Sequence, residues 1–327
     1  MRAHTLSVVL AVASALAFVA ACSIGSTAIP IERLVAALTG SGSTADTVVV
    51  WQIRFPRALA AFLVGAALAA SGAALQGLLR NPLAEPGVLG VSACAALGAT
   101  GVILWGASRS PWAIPIAAVV GALCATALVA TAAFKTHSIL TLILVGVGLS
   151  SFAGALMSLM LNLAPHPFSL ADLISWTLGS VANRSLLDIA FVAPFLVIAT
   201  VLLSATRGGL AVLTLGEEAA TSTGVNLLRL RLLVIIGAGF ATGASVALAG
   251  AIGFVGIIAP HLIRPLVNHD PGRSILPSAL LGGLLLVLAD IGVRVMPGPV
   301  ELKLGVVAAL LGAPLFILIV MRRRGGL

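Results

Sequence analysis

Among the 327 residues, only ten are acidic, and one of these, Asp290, falls well inside an apolar run with Arg294 four positions on. An intramembrane carboxylate marks a functional site by default. A spacing of four also places an acid and a base on one helix face, where they pair. Asp290 is thus either a coupling carboxylate or half of a structural ion pair. Arg54-Phe55-Pro56-Arg57 opens another apolar run. Its two cations either snorkel to headgroups or form a rim that captures an acidic partner. In Leu215-Gly216-Glu217-Glu218-Ala219-Ala220, continuing to Gly224, two glycines bracket a helix of one to two turns with both acids in its first turn, where the helix dipole favours negative charge. That segment is either a capped connector or a short helix presented to a cytoplasmic partner. Asn81-Pro82-Leu83-Ala84-Glu85-Pro86 stops helix formation twice and makes a rigid turn, which is either a plain tight loop or part of the same docking surface.

Other chemistry is missing. The two lysines, Lys135 and Lys303, follow no GxxxxG phosphate loop, and neither HExxH nor GxSxG occurs. Cys22, Cys94 and Cys124 lie far apart and form no CxxC pair. His261 follows Pro260 and reads either as a haem ligand or, with greater weight, as a structural residue. No catalytic residue and no metal ligand is assigned, and an enzyme acting by itself is not indicated.

The elements that must position these residues follow from composition. Hydrophobic residues are 60% of the chain and charged residues 9%, against about 25% charged in a soluble domain. The mean hydropathy is +1.18. So little charge excludes a soluble enzyme, a nucleic-acid binder, a disulfide scaffold and a disordered hub. The chain reads as one all-α polytopic bundle over 1–327 with ten spans, at about 6–24, 57–79, 88–106, 112–134, 139–161, 187–206, 229–250, 251–267, 275–293 and 303–321. The stretch from Gly250 to Gly256 must turn the chain sharply, or the seventh and eighth spans merge. Met1 to Cys22 resembles a lipoprotein signal, but its length and the spans that follow favour a first membrane helix.

Ten spans put both termini on one side. Of the 18 basic residues, that side takes the larger share, closing with Arg322-Arg323-Arg324. The other side takes Arg33, Arg54, Arg57, Arg109, Arg184, Arg294 and Lys303. The bias places both termini in the cytoplasm and accounts for the net charge of +8 without nucleic acid. The outer side then carries a polar loop from Ser23 to Arg54 and an amphipathic stretch from Leu170 to Leu178, and the inner side a loop at 207–228. Residues 65–73 echo residues 243–251. They lie on spans of opposite direction, as in an inverted repeat of spans two to five and seven to ten. Gly239 and Gly243 form a GxxxG face suited either to packing within the chain or to dimerisation.

At these motifs the chain resembles the permease subunits of ABC importers for iron chelates, haem and cobalamin. The resemblance rests on Arg54-Phe55-Pro56-Arg57, Ser71-Gly72-Ala73-Ala74-Leu75-Gln76-Gly77, Asn81 to Pro86 with Leu89-Gly90-Val91-Ser92, Trp176-Thr177-Leu178-Gly179-Ser180, and Leu215 to Ala220. Phe254-Val255-Gly256, Pro260-His261-Leu262-Ile263-Arg264, Leu276-Pro277, Ala289-Asp290 and Gly312-Ala313-Pro314-Leu315-Phe316 complete it. It implies a homodimer in the bacterial inner membrane that works by alternating access. Two cytoplasmic ATPase subunits would carry the ATP and Mg, and a periplasmic or lipid-anchored binding protein would deliver the cargo. This chain would hold no cofactor of its own. Leu215, Gly216, Glu217, Glu218, Ala219, Ala220 and Gly224 would couple to the ATPase. Arg54, Arg57 and Arg294 would receive acidic residues of the binding protein. The cargo ranks as an iron chelate first (ferric siderophore or haem) and cobalamin second. A less favoured alternative is an ion-coupled secondary transporter.

Overall fold

Apolar runs of about 20 residues leave the backbone one open-chain solution in lipid, the helix, and the chain is built almost entirely of helices. The computed structural model describes residues 3–25, 27–105, 110–136, 138–164, 167–296 and 301–324. Arg2 and Arg109 lie outside the described residues, as do the side chains of Arg322, Arg323 and Arg324.

The first crossing is α1 (Ala3–Ser23). The segment expected as a polar loop instead forms α2 (Ile31–Thr39) and α3 (Thr44–Val48), and a π-helical turn (Val49–Arg54) runs on into α4 (Phe55–Leu78). Local chemistry explains the added helices. Gly40 ends α2 at φ 79°, in the left-handed region that glycine enters without strain, and Ser43 caps α3. The second crossing is therefore one continuous helix of 35 residues, Thr44–Leu78, longer at its outer end than the expected 57–79.

Next come α5 (Val91–Leu104), α6 (Ala113–Lys135), α7 (Ile139–Asn162), the amphipathic α8 (Pro167–Thr177) and α9 (Leu186–Ala205). The loop at 207–228 contains two helices, α10 (Arg207–Leu213) and α11 (Glu217–Ser222). The chain ends with α12 (Leu227–Ala249), α13 (Val255–Ile263) extended by a 3-10 turn (Arg264–Val267), α14 (Pro271–Val295) and α15 (Leu304–Arg324). Gly250 at φ 71° and Phe254 at φ 68° break the chain between α12 and α13, as the sequence requires.

Among the described residues, seven helices are long and apolar enough to cross a membrane. Three shorter apolar ones, at Val91–Leu104, Val255–Val267 and Leu304–Ile317, lie where the other three spans are expected. The third span is shorter than 88–106 because Pro86–Leu89 forms a separate 3-10 turn ahead of α5.

Glycines set the packing. A Cβ at Gly65 would strike the Gly282 carbonyl, and one at Gly72 would strike the Gly256 carbonyl. Close backbone contact replaces the hydrophobic drive that lipid does not give, and it draws α4 onto α14 and α13. Gly239 and Gly243 face Thr126 and Ala122 of α6, so the GxxxG face packs within the chain. Cys22 is buried in the last turn of α1 with Ile29, Leu34 and Val50 around it. The helices differ sharply in how far the fold covers them: α12 is 78% buried over its apolar window and α7 only 17%.

Candidate functional site

Three places gather the residues singled out by the sequence. The first is the end of the bundle where α1 and α14 finish and α4 begins. Arg54 ends the π-helical turn, and its Nη1 donates to the carbonyls of Cys22 (3.0 Å) and Ser23 (2.7 Å), while its Nη2 donates to that of Thr27. The last carbonyls of a helix have no partner within it, and this guanidinium satisfies those of α1. One turn on, Arg57 grips Asp290 through Nε (2.9 Å) and Nη2 (2.8 Å), and its Nη2 also reaches Glu301. Arg294 bonds the other carboxylate oxygen of Asp290 and donates to the Ala21 carbonyl at 2.8 Å. The i,i+4 pair exists, and Arg57 from α4 makes it a triad that ties three helices together.

A cavity of 380 Å³ lies against this cluster, lined by Gly25, Thr27, Arg54, Arg57, Arg294 and Glu301 among others. Three guanidiniums face two carboxylates there, so the rim keeps a positive excess. The three arginines gather at one end of the bundle, but they are turned into the fold: Arg54 is 5% exposed, and the side chains of Arg57 and Arg294 are 12% and 7% exposed. Each holds its partners within the chain. Beside them Arg33 forks onto Asp46 at 2.9 and 2.6 Å, and the Ser43 hydroxyl donates to the same carboxylate at 2.8 Å.

The second place is the segment that begins with α10. Gly216 takes φ 108°, which a side chain would strain, and this turns α11 away from α10. Glu217 Oε1 accepts from Arg231 Nη2 at 2.9 Å. Arg231 is buried, so the pair pins α11 to α12 across the loop. Ala220 is buried and accepts from the Val225 backbone N–H, and Gly224 turns at φ 88°. Leu215 stands 72% exposed, Glu218 is exposed and Ala219 half-buried. The result is a small, braced helix with an apolar residue and an acid facing outward.

The third is the turn from Asn81 to Pro86. It does not lie flat on the bundle end. Asn81 and Leu83 are exposed and Pro82 is half-buried, whereas Pro86 is buried and Glu85 half-buried. Asn81 Oδ1 accepts from the Leu83 N–H at 2.9 Å. Glu85 accepts a hydrogen bond from the Phe254 backbone N–H, and so caps the start of α13 from the far side of the chain. With Ser92, Ser245 and Gly253 it lines a cavity of 160 Å³. The 3-10 turn Pro86–Leu89 thus lies against the start of α13, where a Cβ at Gly256 would come within 3.0 Å of Pro86.

Sequence reasoning missed Glu301, Arg231 and the Glu85–Phe254 contact. Their partners are 244, 14 and 169 positions away, and no local pattern signals such pairs. Among the described residues, no group of three or more His, Cys, Asp and Glu side chains comes together to hold a metal ion.

A model described as the FecCD transport family matches residues 12–322. The vitamin B12 import system permease protein BtuC of Vibrio cholerae is 43% identical over 286 residues, covering 86% of this chain and 85% of that protein. An uncharacterized ABC transporter permease protein of Bacillus subtilis, YvrB, is 40% identical over 295 residues, covering 88% and 83%. A solved structure of an ABC transporter assigned to the metal-chelate type, in an inward-facing conformation, superposes with a TM-score of 0.88 at 31% identity over 97% of this chain and 99% of its own.

Proposed function

The chain belongs to the FecCD transport family and is an ABC importer permease of that type, and from this premise we propose that it carries a bulky organic metal chelate into the cell as one half of a homodimer. The single observation behind the cargo class is the likeness itself. It spans nearly the whole chain, to a relative named for vitamin B12 import and to a structure named for metal chelates. Cobalamin comes first on this reading, because the relatives at 40–43% identity whose names state a cargo are vitamin B12 permeases. An iron chelate, first on motif grounds alone, is the second reading, supported by the metal-chelate neighbour.

The rest of the proposal concerns how such a chain works. ATP and Mg sit on two separate cytoplasmic subunits, which seat α11 through Leu215 and Glu218. Closure of those subunits on ATP pushes α11. The Glu217–Arg231 pair passes the displacement to α12, whose far end adjoins the start of α13. The path between two copies then opens outward and later inward. The second copy covers α7, whose outward face carries Leu140, Leu144, Phe152 and Leu159. On α7 a Cβ at Gly148 or Gly154 would meet nothing within 4 Å, leaving a surface that another helix can approach closely. A periplasmic or lipid-anchored binding protein docks on the outer rim, where the positive excess of the arginine cluster attracts acidic side chains over a distance. The setting is the bacterial inner membrane, with both termini in the cytoplasm.

The test is uptake by proteoliposomes holding this chain, its ATPase and its binding protein. ATP-dependent entry of labelled cobalamin is expected. Entry of a ferric siderophore or haem in its place would move the second reading to first. Entry driven by an ion gradient without an ATPase would overturn the importer mechanism.

A further inference from the structure

The end of the bundle that carries the start of α1 holds a basic feature with no part in the mechanism above. Arg207, the first residue of α10, and Arg273, in the first turn of α14, line one cavity together with His4 and Val8 of α1. Their closeness is built into the backbone, since a Cβ at Gly272 would strike the Arg207 carbonyl. From this point two apolar grooves run along the helices. One, of 610 Å³, lies between α1 and α14 and is lined by Val8, Ala11, Pro277 and Leu280. The other, of 290 Å³, lies among α4, α9 and α14 and is lined by Ala67, Ala70, Leu196 and Leu203. Arg207 and Leu276 belong to both, so the grooves diverge from one charged mouth.

We propose that this site holds one anionic diacyl phospholipid, its phosphate on Arg207 and Arg273 and one acyl chain in each groove. Arg207 gives a single hydrogen bond to the fold, from Nε to the Gly272 carbonyl at 3.4 Å. Its terminal amino groups have no protein partner among the described residues. Arg273 pairs with Asp270 at 3.1 Å, yet its side chain stays 67% exposed. Guanidinium groups match phosphate geometry with paired donors, and basic pockets between membrane helices at the cytoplasmic side take acidic headgroups. The flanking surfaces face hydrocarbon: Val8 and Val12 on α1, and Val197 and Val201 on α9, are each about half exposed or more. A soluble anion would leave both grooves empty of apolar contact, whereas a diacyl lipid fills them. The bound headgroup would also fix the first residue of the segment that leads to α11.

The experiment is native mass spectrometry of the full-length chain in mixed micelles. It compares phosphatidylglycerol, phosphatidylethanolamine with the same acyl chains, and free glycerol phosphate. Retention of phosphatidylglycerol over phosphatidylethanolamine is expected. Each basic residue beside an acidic headgroup contributes about a fivefold factor. Arg207→Gln should therefore lower retention about fivefold, and Arg207→Gln with Arg273→Gln about 25-fold. Arg229→Gln, which removes an exposed cation outside both grooves, should leave it unchanged. Ala67→Leu should lower retention by filling one groove, and it serves where the arginine variants do not fold. The proposal is overturned if the two lipids are retained equally, if Arg229→Gln matches Arg207→Gln, or if glycerol phosphate displaces the lipid completely. None of these results bears on the importer reading, which uptake tests separately.

Discussion

Asp290 is the most instructive residue to perturb. It is 1% exposed and faces two guanidiniums. In Asp290→Asn the two arginines stay where they are but lose their shared anion. Removing one partner of a buried ion pair costs about 3–5 kcal/mol, because a charge is left uncompensated. Here the lower end applies. Arg57 keeps Glu301, and Arg294 keeps the Ala21 carbonyl, so the expected loss is about 3 kcal/mol. Arg57→Gln leaves Asp290 paired with Arg294 and removes charge-assisted bonds worth about 1.5–3 kcal/mol. The assay is unfolding of the purified chain in mixed micelles titrated with a denaturing detergent, followed by helix content. A loss below about 1 kcal/mol for Asp290→Asn, or an Arg57→Gln variant weaker than Asp290→Asn, would refute the triad as the tie between α1, α4 and α14. The same geometry changes what charge reversal of Arg54, Arg57 and Arg294 reports. These side chains hold the fold, so reversing them should lower stability, and the proposed docking must be measured on variants shown to be folded.

Gly72→Ala should destabilise by about 1–3 kcal/mol, since its Cβ meets the Gly256 backbone, whereas Gly148→Ala, with open space at its Cβ, should cost nothing measurable in the isolated chain. The same detergent titration distinguishes the two. Glu218→Lys should reduce co-purification of the ATPase without changing the unfolding midpoint, because Glu218 is exposed. Glu217→Gln should lower the midpoint, because it leaves Arg231 buried without its anion. Equal effects of the two substitutions would count against α11 as a braced docking helix. Asp46→Asn removes the carboxylate that Arg33 grips and Ser43 bonds, the contact that joins α2 to α3. Hydrogen exchange at fixed pH should therefore be faster in 31–48 of Asp46→Asn than in the parent chain, and equal rates would count against this contact as the tie between α2 and α3.

Composition and local pattern carried most of the architecture. Long apolar runs can only be helices in lipid, so the helical bundle, the breaks at Gly250 and Phe254, and the small helix between Gly216 and Gly224 were legible from residue order. So was the pairing of Asp290 with Arg294, because four positions make one helical turn. The outer helices α2 and α3 were not legible, since Arg33 and Asp46 are 13 positions apart and meet only when the chain turns at Gly40.

Long-range placement decided the rest. Arg57 and Asp290 are separated by 233 positions, and their contact turned a cationic rim into an interior clamp. Glu85 read as a surface acid in a rigid turn, and folding carried it to the start of α13. Arg207 and Arg273 read as ordinary members of the basic excess on the side of the termini until Gly272 brought their backbones together at the mouth of two grooves. The physical reason is the same in each case. A charge near a membrane carries a strong local signal about which side it belongs to, but its partner is chosen by helix packing, and close packing depends on glycine contacts between segments far apart in sequence.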